Sequence, residues 1–164
     1  MKIYNLNDEL YLGAQARLFK IKGKEKLIAK VYKSKPTENA KREFEIGKLF
    51  QMNSVSTPKY IGVCKVQETS TTSPIWDAVV MEHIEDSYLI KSALNYTEKQ
   101  NVPSNMYIRG AELLKKEIKK IEHLPFKLIS TGTRWLQDYQ GLYSPLRDRI
   151  YLIDFGRIRV AQKK

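Results

Sequence analysis

The chain has 164 residues, 42% of them hydrophobic and 29% charged, with a formal net charge of +11. That length fits one domain able to bury a core, and apolar runs as short as Ala78-Val79-Val80-Met81 exclude a transmembrane helix and leave no secretory signal after Met1, so the expected location is the cytoplasm, or a host cytoplasm. A single cysteine, Cys64, excludes an internal disulfide and any cysteine-cluster zinc site, and it reads as a small core residue.

In chain order the pattern predicts strands first. Leu10–Leu12 leads into Arg17–Ile21, Gly23 turns the chain, and Leu27-Ile28-Ala29-Lys30-Val31-Tyr32 is rich in branched and aromatic residues. Thr37 is placed to cap a helix over Glu38–Met52, with Ala40, Phe44, Gly47 and Phe50 turned inward. Pro58 precedes a strand over Tyr60–Cys64, Glu68–Ser73 reads as a hairpin tip, and Ala78–Met81 is the fifth strand. Pro103-Ser104 opens a second helix to about Leu124, with Ala111, Leu114, Ile118 and Ile121 as its apolar stripe. Ser144–Asp148 is a turn before a last strand. The lysine clusters 20/22/24/26 and 115/116/119/120 read first as solvated faces, and the +11 charge leaves nucleic acid open as a partner.

Three segments carry chemistry. Lys30 has apolar neighbours on both sides of a strand, which is costly without a counter-charge or a ligand; Glu43 on the first helix is the candidate partner and Glu45 the fallback. Val79-Val80-Met81-Glu82-His83-Ile84-Glu85 turns abruptly from apolar to polar, as a hinge does, with His83 exposed in it. Arg149–Arg157 delivers Asp154 into a Phe155-Gly156 turn, the local pattern that holds Mg²⁺ against nucleotide phosphates. His123 reads as a helix-end cap.

These segments together resemble the small kinase of the KEOPS tRNA-modification complex and its relatives, the RIO kinases. The resemblance runs through Leu12-Gly13-Ala14-Gln15-Ala16, Arg42-Glu43-Phe44, Thr57-Pro58-Lys59-Tyr60, Val80–Glu85 and Ile153–Gly156. It implies a single α+β, protein-kinase-like domain over 1–164: a five-stranded antiparallel N-lobe with one helix (1–85), a hinge at 82–86, and a reduced, mainly helical C-lobe (87–164). It implies ATP and Mg²⁺ as cofactors. Gly13 and Ala14 would cover the nucleotide, and Lys30, oriented by Glu43, would hold its phosphates. Met81, Glu82 and Ile84 would line the adenine, Asp154 would bind the metal, and Asp138, sixteen residues before Asp154, would be the base. Asp148 is too close to Asp154 for that role and is a turn residue. Tyr143 stands where the family places a metal-binding Asn, with Gln140 or Ser144 as possible substitutes.

The implied activity is γ-phosphoryl transfer to Ser/Thr of a protein, or ATP hydrolysis within a complex. Only eight residues follow Gly156, so either a partner is expected to supply the substrate-docking surface or the substrate is unusual. Two other readings stay open: an inactive nucleotide-binding or scaffold module, motivated by Tyr143, and an RNA-binding accessory, motivated by charge.

Overall fold

In the computed structural model, residues 2–12, 15–69, 72–91, 102–130, 139–155 and 158–161 are described. They divide into two compact units: Met1–Gly47 with Lys59–His83, and Lys48–Pro58 with Ile84–Lys164.

The first unit is built on β1 (Ile3–Leu12), β2 (Ala16–Ile21), β3 (Lys24–Tyr32), β4 (Tyr60–Gln67) and β5 (Ile75–Glu82), with most of helix α1 (Pro36–Met52). The strands close into a barrel in the order β1-β2-β3-β5-β4. Closure comes from β1, whose first residues pair in parallel with β4 (Ile3 with Lys65, Tyr4 with Val66, Asn5 with Gln67). Its remainder runs antiparallel to β2 through two register shifts. Such irregularities bend a strand and let one chain segment serve two neighbours.

This corrects the expected fold class: the sheet is a closed, mixed barrel rather than an open antiparallel kinase lobe. The missed piece is Ile3–Glu9, where two Asn, an Asp and a Glu dilute the strand signal; pairing on both edges overrides that local preference. The barrel interior holds Leu6, Phe19, Ile21, Ala29, Val31, Val66, Ala78 and Val80, with Cys64 and Trp76 packed against them. Cys64, expected in the core, is half-buried against it, and burial raises its thiol pKa.

Because Ala29 and Val31 point inward, the alternation of a strand turns Lys30 and Tyr32 outward. Helix α1 covers them there. It starts with Pro36, favoured in a first turn. Thr37 is not its cap, since the hydroxyl donates to Asp77 on β5 instead. Gly47 lets α1 approach closely: a Cβ there would lie 2.5 Å from the Tyr60 ring. Gly47→Ala is therefore expected to cost about 1–3 kcal/mol by overpacking, outweighing the roughly 1 kcal/mol gain in helix propensity. Urea unfolding of the variant checks the sign.

The second unit holds the end of α1, β6 (Tyr88–Lys91), α2 (Ser104–Glu122), β7 (Leu128–Ser130), β8 (Gln140–Ser144), β9 (Arg149–Ile153) and β10 (Ile158–Val160). Its strands form two sheets, β6-β8-β9 and β7-β10. A mainly helical C-terminal half is thereby also overturned: one helix is accompanied by five short strands among the described residues. Strands of three to five residues with remote partners, such as β6 paired with β8, have no local periodicity to reveal them.

Helix α2 begins at Ser104 as expected, and the His123 ring and backbone N–H both meet the Lys119 carbonyl at its end. The free edge of β9 is closed by the loop after α1. Ser56 accepts from Leu152 N–H at 2.8 Å, and its hydroxyl donates to the Ile150 carbonyl at 2.6 Å. The Ser56 N–H donates to the buried Glu117 of α2 at 3.0 Å.

Candidate functional site

Outside the barrel, three buried side chains converge. The Lys30 ammonium donates to Glu43 Oε1 at 2.7 Å, and the Tyr32 hydroxyl donates to the same oxygen at 2.7 Å. Lys30 is 7% exposed and Glu43 0%. The partner of Lys30 is thus Glu43; Glu45 is exposed. Glu43 reaches β3 because Asn39, Ala40, Glu43, Ile46, Gly47 and Phe50 share the buried stripe of α1. The second carboxylate oxygen, Oε2, is buried without a hydrogen-bond partner among the described residues. Burial first, and then the Glu43 charge, push the Tyr32 phenol far above its ordinary pKa, so it remains a donor at any physiological pH.

A buried Lys–Glu pair is poor evidence for stability alone, because desolvation of two ions offsets their attraction. What it does accomplish is to hold one ammonium at a fixed place.

The hinge candidates lie at the end of β5 and just beyond. Met81 is buried and pairs with Ile28 on β3 and Tyr60 on β4. Glu82 donates its N–H to the Lys59 carbonyl at 2.8 Å, and His83, half-buried rather than exposed, donates its N–H to Lys26 at 2.9 Å. The Ile84 carbonyl accepts from the Ser87 hydroxyl at 2.8 Å. Gly13, Ala14, Asp138 and Gly156 lie outside the described residues.

Asp154 follows β9, exposed, with φ at +64°. A non-glycine residue in this left-handed region costs about 1–2 kcal/mol, a cost that Asp tolerates better than most. Its neighbour Phe155 is fully buried and meets Phe50 edge-on at 5.2 Å between ring centres. The buried ring anchors the turn and leaves the carboxylate outside.

Tyr143 is buried on β8, its hydroxyl donating to Asp148 at 2.8 Å. Arg109 of α2 makes a two-pronged contact with the same carboxylate, at 2.9 and 2.8 Å. Asp148 is thus the turn residue expected, at φ +48°. Arg109 first, then Tyr143, hold its pKa down to about 2. A depressed carboxylate pKa stabilises fully above the ordinary value near 4, and that contribution is lost as pH falls towards 2. Asp148→Asn should accordingly flatten the pH dependence of unfolding between about pH 4 and 2, as followed by acid titration of circular dichroism. Of the substitute metal ligands, Ser144 accepts from the Arg147 N–H at 3.3 Å and is buried, while Gln140 is half-buried on β8.

Among the described residues, no cluster of three His, Cys, Asp or Glu could hold a metal. Mg²⁺ does not require one. It binds through one or two carboxylates together with nucleotide phosphates and water, and a single exposed Asp154 fits that mode. The sequence reading missed Tyr32, although it stands two positions from Lys30 and so on the same strand face. It also missed Glu117, whose burial under Ser56 has no local signal in a lysine-rich helix.

No described helix is long and apolar enough to cross a membrane. No family model matches the sequence, and no curated protein matches it.

Proposed function

We propose that this protein binds ATP and transfers its γ-phosphoryl group to a serine or threonine hydroxyl of a protein. The observation that carries the reading is the Lys30 ammonium, fixed by Glu43 on the covered outer face of β3. A lysine held this way offers a point charge for phosphate oxygens at no further ordering cost.

In the reaction the acceptor oxygen attacks the γ-phosphorus and the bond to ADP breaks. The hydroxyl proton passes to a carboxylate, for which Asp138 is the sequence candidate. Mg²⁺, entering with the nucleotide, would be held by Asp154 and would neutralise phosphate charge. Lys30 contributes binding and charge stabilisation rather than proton transfer.

The test is phosphoryl transfer from γ-labelled ATP. Wild type should label a protein acceptor, and Lys30→Ala and Asp154→Ala should each reduce labelling by at least about 100-fold, as loss of a transition-state charge contact does. Undiminished labelling by both variants would sink the reading.

One observation favours a second reading, a nucleotide-binding regulator without turnover. Tyr143 cannot serve as an amide ligand, and its hydroxyl is engaged with Asp148. Binding of MgATP without any label transfer is the outcome that reading expects.

A further inference from the structure

Lys30 and Tyr32 reach Glu43 together, and the geometry is asymmetric. Both donate to Oε1, at 2.7 Å each, and neither to Oε2. The Lys30 ammonium also stands 5.0 Å from the centre of the Tyr32 ring. A lysine side chain has four rotatable carbons and a carboxylate offers two oxygens, so an isolated pair can exchange among several arrangements. Here the phenol fixes which carboxylate oxygen is presented, and the ring bounds the ammonium on one side. Tyr32 is itself only 5% exposed, so its own rotamer is set by packing.

We infer that Tyr32 is a positioning residue for phosphate recognition: its hydroxyl locks the Glu43 carboxylate and its ring confines Lys30, so that one ammonium geometry meets the ligand's phosphates. This rests on the nucleotide-binding reading above and adds to it a residue that does not touch the nucleotide. Tyr32 works by cutting the ordering cost of Lys30. Its effect must therefore scale with phosphate and vanish when either the phosphates or Lys30 is removed. A tyrosine that merely fills space behaves differently, affecting all ligands alike or none.

The experiment is isothermal titration of wild type and Tyr32→Phe with MgATP and with adenosine, repeated on a Lys30→Met background. Phenylalanine keeps the ring, and a thermal melt confirms that the variant is folded. Tyr32→Phe should weaken MgATP binding about fivefold, the scale of one ordinary net hydrogen bond. Adenosine affinity should stay within about twofold, and the substitution should do nothing further once Lys30 is Met. An unchanged MgATP affinity, or equal losses for MgATP and adenosine, would overturn the role of Tyr32 while leaving nucleotide binding intact. A wild type that binds no MgATP would overturn the nucleotide reading and this inference with it.

Discussion

Glu43→Ala is expected to destabilise the barrel unit by about 3–5 kcal/mol, the usual cost of leaving a buried charge without its partner. The reason is local. Lys30 is 7% exposed, and without the carboxylate its ammonium loses a 2.7 Å hydrogen bond, as does the Tyr32 hydroxyl. Removing all three polar groups together reverses the outcome. In a Lys30→Met, Tyr32→Phe, Glu43→Leu triple variant the three groups of the cluster are removed together, and stability should be unchanged or higher by about 1–4 kcal/mol. Urea unfolding followed by circular dichroism separates the two results. If the cluster existed for stability, the triple variant would lose as much as the single one.

The second large effect concerns Asp154. Its positive φ is a conformation that glycine adopts without penalty. Asp154→Gly should therefore be more stable than Asp154→Ala by about 1 kcal/mol. Both variants, however, should lose the Mg²⁺ dependence of ATP binding: the ratio of affinities with Mg²⁺ and with a chelator should fall from well above ten towards one. The Gly variant removes the carboxylate without adding backbone strain, so it separates the loss of the ligand from the loss of the turn. A variant that keeps its Mg²⁺ dependence would remove Asp154 from the site.

The Lys30–Glu43 pair and the Asp154 turn were more legible in the sequence than the architecture. Lys30 could be singled out because an ammonium between Ala29 and Val31 demands a counter-charge, and the first helix offered Glu43, with Glu45 as fallback; that Glu43 lies on the buried stripe is visible only in the fold. The Asp154 turn was visible because a short apolar strand ended in Asp-Phe-Gly. Barrel closure was hidden because the parallel pairing of Ile3–Asn5 with Lys65–Gln67 spans some sixty residues and is written in polar-rich sequence. The small sheets were hidden for a similar reason: β10 is three residues long and finds its partner, β7, only in the fold. Tyr32 was overlooked because a tyrosine in an apolar strand reads as core. Its hydroxyl matters only once Glu43 is known to lie opposite.

The corrected fold changes what supports the functional reading. A closed mixed barrel and a sheet-rich second unit give no support by architecture, so the case rests on the Lys30–Tyr32–Glu43 cluster and the Asp154 turn as local chemistry. The most direct measurement is calorimetric titration of MgATP into wild type and into the Lys30→Met, Tyr32→Phe, Glu43→Leu variant. Saturable binding to the wild type is expected, with at least about a 100-fold loss in the variant, which should be no less stable. Equal affinity for the two proteins, or no binding to either, would contradict it.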